Sequence, residues 1–105
     1  MTQPHSDLLI THDMVEQTVE LLVSGRVQGV GFRYFTLQTA HTYCVHGYVQ
    51  NLVNGSVKII AQGNPANLQA FISVIQAGPS RGFVNSVQPS PITAATRYQD
   101  FHVRY

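Results

Sequence analysis

This sequence predicts an α+β sandwich with two helices on one face of an antiparallel sheet, and three observations carry that prediction. Short apolar or alternating runs bounded by turn residues recur along the chain, as strands do. Two longer stretches repeat their apolar residues at helical spacing. Between the second and third strand-like runs, Asn54-Gly55 is the strongest short hairpin signal available.

The elements follow in order. Residues 15–24 alternate well enough for a strand, with Val19, Leu21 and Val23 on one face. A glycine-rich connection over 25–33 leads into residues 32–43, where Phe32, Thr36, Ala40 and Tyr43 make one packing face. Cys44 follows directly. Residues 47–52 and 57–62 read as a second and third strand. Asn54-Gly55-Ser56 is also a glycosylation sequon, but a hairpin turn explains it fully. Asn64 and Pro65 then fit the N-cap and first position of a helix. Leu68, Phe71, Ile72 and Ile75 follow at i, i+3, i+4 and i+7, and Gly78-Pro79 closes the helix. Residues 83–87 look like a fourth strand, 89–95 like a loop, and 98–105 like a short final strand. The order βαββαβ plus one strand is that of a ferredoxin-like antiparallel α/β sandwich.

At 105 residues the chain suits a single domain, expected over 16–105, with residues 1–15 as a mobile N-terminal extension. Residues 1–15 lack the charge and apolar pattern of a secretory signal. No apolar run reaches membrane-spanning length. A cytoplasmic monomer is expected, without a membrane partner. The single cysteine, Cys44, permits no intramolecular disulfide and suits a reducing compartment. His5, His12, His41, His46 and His102 show no ligand spacing, so no metal or other cofactor is expected. Six Lys and Arg residues are too few for a strong nucleic-acid footprint, and 57–62 lacks the aromatics of an RNA-reading strand.

Charge is distributed unevenly. All carboxylate side chains belong to Asp7, Asp13, Glu16, Glu20 and Asp100, whereas Arg26, Arg33, Lys58, Arg81 and Arg97 lie in the acid-free span 21–99. Such a body attracts a small anion. It also offers no carboxylate base and no cage of hard oxygens for magnesium or calcium.

The anion would meet the glycine-rich connection, Gly-Arg-Val-Gln-Gly-Val-Gly-Phe-Arg over 25–33. Backbone N–H groups in such a loop can converge on one point, and the following helix adds unpaired donors and a positive dipole end. Arg33 stands at the loop-to-helix junction, where a guanidinium can add two parallel hydrogen bonds. The stretch fits neither the nucleoside-triphosphate loop nor the three-glycine dinucleotide pattern.

Taken with Gly-Tyr-Val-Gln-Asn-Leu-Val-Asn-Gly-Ser-Val-Lys-Ile-Ile-Ala-Gln-Gly over 47–63, the connection resembles the paired signatures of the acylphosphatase family. The similarity extends to Phe101, His102, Val103, Arg104 and Tyr105. Where family members often place glycine just past the first helix, this chain has Cys44, and the resemblance implies a left-handed conformation there, costing about 1 kcal/mol or more. It implies an enzyme that hydrolyses the carboxyl-phosphate bond of a small-molecule acyl phosphate. It also implies that Gln28, Gly29, Val30, Gly31, Phe32 and Arg33 bind the phosphate and that Asn51 positions the attacking water, with Arg33 and Asn51 catalytic. The resemblance further suggests that the Tyr105 carboxylate reaches Arg33. Two alternatives stay open: a non-catalytic phosphate-binding or regulatory domain of the same fold, and a relative directed at carbamoyl phosphate. Tyr34 and Phe35 read as packing residues rather than substrate contacts.

Overall fold

The computed structural model describes residues 16–94 and 96–105; the extension expected over 1–15 lies outside them. The chain runs β1 (Gln17–Arg26), α1 (Phe32–Thr42), β2 (His46–Asn51), β3 (Val57–Gly63), α2 (Pro65–Ala77), β4 (Phe83–Ile92) and β5 (Phe101–Arg104). The five strands form one sheet in the order β4-β1-β3-β2-β5.

The expected α+β sandwich is what forms, with one refinement to the sheet. All pairs are antiparallel except the last, in which β5 runs parallel to β2 from Gly47↔Phe101 to Gln50↔Arg104. The cause is topological. The chain leaves β4 at one edge and reaches the opposite edge before forming β5, so the connection is a crossover rather than a hairpin. Gln62, buried on central β3, ties this connector down. Its Nε2 donates to the Thr96 carbonyl and the Thr18 hydroxyl, both at 3.0 Å, and its Oε1 accepts from the Tyr98 N–H at 2.8 Å. A buried amide with these partners satisfied costs little.

The core follows the alternation. Val19, Leu21 and Val23 of β1 face the helices with Val49, Val57, Ile59 and Ala61. From α1, Phe32, Thr36, Thr39 and Ala40 are buried. Thr36 is tolerated there because its hydroxyl donates to the Phe32 carbonyl at 2.9 Å. From α2 come Leu68, Phe71 and Ile75. The predicted cap of α2 forms, with Asn64 Oδ1 accepting from the Asn67 N–H at 2.8 Å and Pro65 as the first helical residue.

The hairpin expected at Asn54-Gly55 forms, with residues 52–56 connecting β2 and β3, and two other local expectations change. Leu52 accepts from the Gly55 N–H at 3.2 Å, Leu52 donates to Ser56 at 2.9 Å, and only Gly55, at φ 91°, is left-handed. Asn54 instead uses its side chain to accept from the Ser56 N–H at 3.0 Å. The expected loop over 89–95 is strand as far as Ile92, with Pro89 opposite Leu21 and Pro91 opposite Val19. Proline has no N–H for a ladder but is accommodated on an edge strand, where that side need not pair. Finally, the last strand begins at Phe101 rather than at 98, because residues 98–100 belong to the crossover connector.

Candidate active site

Topology brings three strand ends together. Val57 pairs with both Val23 and Asn51, and Arg104 pairs with Gln50. The C-terminal ends of β1, β2 and β5 therefore lie at one end of the sheet. From them issue the glycine-rich loop, Asn51 as the last residue of β2, and Tyr105. These border a cavity of about 280 Å³ lined by Val27, Gly29, Gly31, Phe32, Arg33, Tyr34, Asn51, Val103 and Tyr105.

The loop owes its course to Gly29 and Gly31, at φ 76° and 78°. A Cβ on either would meet nothing within 4 Å, so backbone conformation rather than crowding demands glycine here. Gly31 is the N-cap of α1 and supplies no capping side chain, and the first turn carries no acidic residue. The first intrahelical bond runs from the Phe35 N–H to the Gly31 carbonyl at 2.9 Å. The N–H groups of Phe32, Arg33 and Tyr34 thus form an uncapped, electropositive helix end at the cavity.

Arg33 adds the charge. Its guanidinium carbon lies 4.9 Å from the centroid of the Tyr105 ring. A ring over the guanidinium face leaves the in-plane N–H donors free for an anion. The contact with Tyr105 is thus through the ring rather than the terminal carboxylate. The ion pairs among the described residues are Arg97–Glu16 and His102–Asp100, neither of which involves Arg33.

Asn51 supplies the other feature. Its Oδ1 is buried without a hydrogen-bond partner among the described residues. An orphan acceptor of this kind is costly in a folded protein and calls for a functional account.

Of the residues expected to bind phosphate, Gly29, Gly31, Phe32 and Arg33 line the cavity with Asn51, whereas Gln28 and Val30 do not. The Gln28 side chain turns away, its Nε2 donating to the carbonyls of Leu52 and Ser56 at 2.9 and 2.8 Å. Val30 packs against the core. The tyrosine and phenylalanine after Arg33 divide their roles. Phe35 packs, its ring 5.7 Å from that of Phe32, but Tyr34 is 65% exposed and lines the cavity. Helical spacing contains the signal, since Tyr34 falls off the Phe32–Thr36–Ala40 face. Val27, Val103 and the Tyr105 ring were not legible as lining residues, because only the sheet topology assembles them. A larger hollow of about 990 Å³ lies between α2 and the far end of β1 and β4. The only cation among its described lining residues, Arg97, is paired with Glu16 at 3.5 Å, so that hollow lacks free charge for an anion.

A small α+β sandwich with an uncapped helix end, a glycine-shaped loop and an arginine without a carboxylate partner among the described residues defines a class: domains built to hold a compact oxyanion. The acylphosphatase family model matches residues 19–103. The chain belongs to the acylphosphatase family. It is 39% identical over 90 residues to an acylphosphatase of Chlorobaculum tepidum, covering 86% of this chain and 98% of that one. The crystal structure of an acylphosphatase from Bacillus subtilis superposes with a TM-score of 0.81 at 31% identity, over 85% of this chain and 99% of that one. Full-length HypF, crystallised in a phosphate- and nucleotide-bound form, gives a TM-score of 0.81 at 29% identity, over 88% of this chain but only 12% of HypF.

Proposed function

We propose that this chain hydrolyses acyl phosphates to a carboxylate and inorganic phosphate at the cavity between the glycine-rich loop, Asn51 and Tyr105. The observation that carries the reading is the pairing of free donors with an orphan acceptor. Arg33 and the uncapped end of α1 border the same cavity as Asn51, whose buried Oδ1 has no partner among the described residues. The donors hold the phosphoryl oxygens, and the acceptor takes one O–H of a water and turns its oxygen toward phosphorus.

The water oxygen then forms a bond to phosphorus as the bond from phosphorus to the acyl oxygen breaks. The carboxylate departs with the bonding pair, and a phosphate oxygen receives the water's proton. Phosphoryl transfer of this kind depends on in-line positioning and charge stabilisation more than on covalent help from the protein. The low basicity of the leaving carboxylate fits a cavity whose described lining includes no Asp or Glu side chain. Gln28 supports the loop, and the backbones of Gly29, Val30, Gly31, Phe32 and Arg33 supply the cradle.

The chain is proposed to act as a cytoplasmic monomer on a small-molecule substrate, without a cofactor or nucleic acid. Its exposed, unpaired Cys44 agrees with a reducing compartment. The deciding experiment is hydrolysis of benzoyl phosphate by wild type and by Arg33→Gln, with EDTA throughout. Turnover lost in the variant supports the assignment. A folded wild type that binds phosphate but turns nothing over would make this a regulatory phosphate-binding domain instead.

A further inference from the structure

We propose that Tyr34 and Tyr105 form the subsite for the acyl group and bias the enzyme toward acyl phosphates whose acyl group is aromatic. The inference rests on the hydrolase reading and names the substrate class within it.

The lining of the cavity sorts by exposure. Val27 and Phe32 are each 1% exposed and form the floor. Gly29, Gly31, Arg33 and Asn51 supply the anion-facing surface. Tyr34 and Tyr105 are 65% and 91% exposed and so stand at the mouth. They are two large apolar faces left in water at the rim of a polar cavity.

Reaction geometry assigns that rim. In-line displacement places the leaving group across the phosphorus from the attacking water. With the water held at Asn51, the acyl group departs away from it, toward the open side of the cavity. Two rings border that side from different elements. Tyr34 lies in the first turn of α1, where helical side chains lean back toward the N-terminus and hence toward the loop. Tyr105 follows β5 and already lies over the Arg33 guanidinium. A planar aromatic acyl group can lay its face or edge on these rings, whereas an acetyl group has only a methyl to offer.

The test compares benzoyl phosphate and acetyl phosphate on wild type, Tyr34→Ala, Tyr105→Ala, the double variant and the two Tyr→Phe variants. The quantity read is the benzoyl-to-acetyl ratio of kcat/KM. It should fall about threefold to tenfold in each alanine variant and further in the double variant. Each phenylalanine variant should keep the wild-type ratio, because the ring rather than the hydroxyl makes the contact. An unchanged ratio in the double variant, with wild type active, overturns the subsite alone. Equal losses on both substrates in Tyr105→Ala also overturn it, because that ring would then serve only to hold Arg33. Failure of folded wild type to turn over either substrate overturns both the subsite and the hydrolase reading.

Discussion

Gln28 Nε2 lies 2.8 Å from the carbonyl oxygen of Ser56, and the same nitrogen donates to Leu52 at 2.9 Å. One side-chain amide thus clamps the glycine-rich loop to the turn that follows Asn51. The clamp sets the separation between the two halves of the site. Gln28→Ala is expected to lower stability to urea by about 1 to 2 kcal/mol, the net contribution of two such bonds, and to weaken phosphate binding. Gln28→Glu should be worse, since a carboxylate cannot donate to the two carbonyls. Unchanged urea midpoints in both variants would show that the loop is held without this amide.

Arg33→Gln should lower kcat/KM at least about 100-fold, the loss expected when two charge-assisted hydrogen bonds of roughly 1.5 to 3 kcal/mol each disappear. Its fold should persist, because Arg33 takes part in none of the ion pairs among the described residues. Circular dichroism and urea unfolding run beside the assay distinguish lost chemistry from lost structure. Turnover near that of wild type would remove Arg33 from the mechanism.

Asn51→Ala should separate turnover from binding. A group that orients the attacking water acts on kcat, whereas in the proposed mechanism phosphate affinity is expected to depend on the loop and Arg33. The alanine variant is therefore expected to bind inorganic phosphate as wild type does while its kcat collapses. Removing the orphan acceptor should also leave stability unchanged or slightly raised, since Oδ1 has no partner to lose. Weakened phosphate binding with kcat retained would make Asn51 a binding residue.

Cys44 is the only residue other than glycine at positive φ among those described, at 57°. It follows α1, with the Val45 N–H donating to the Ala40 carbonyl at 2.9 Å and the Cys44 N–H to His41 at 3.4 Å. That pairing is a Schellman turn, which favours glycine at the left-handed position. Cys44→Gly should stabilise the fold by up to about 1 kcal/mol in urea titration, with relief of the Cβ strain exceeding the added chain entropy. A loss of stability would show that the thiol side chain contributes packing that its exposure conceals.

How far the sequence could be read depended on how local each cause was. The N-cap at Asn64 and the apolar face of α2 arise within a few residues of themselves and were legible, whereas the left-handed Cys44 was expected only from the family resemblance. The glycines of the loop and the charge of Arg33 were legible too. The strand through Pro89 and Pro91 was hidden, because local turn signals gave no warning that an edge would tolerate them. That Tyr105 meets Arg33 was expected from the family resemblance, but that its ring rather than its carboxylate makes the contact was hidden, since it depends on a crossover joining opposite edges of the sheet. Gln28 was readable as part of the loop, but its partners lie on another strand pair, so its side-chain role emerged only from the packing.

The two edges of the sheet differ in what they offer to a second molecule. A bare edge can accept a foreign strand and start fibrillar growth. The edge made by β5 is only four residues long. The edge made by β4 is ten residues long, but Pro89 and Pro91 deny a newcomer any backbone donor at those positions. Recruitment is thereby confined to the stretch from Phe83 to Gln88. The same two prolines that obscured the strand in the sequence thus shorten the edge on which the folded chain could template its own aggregation.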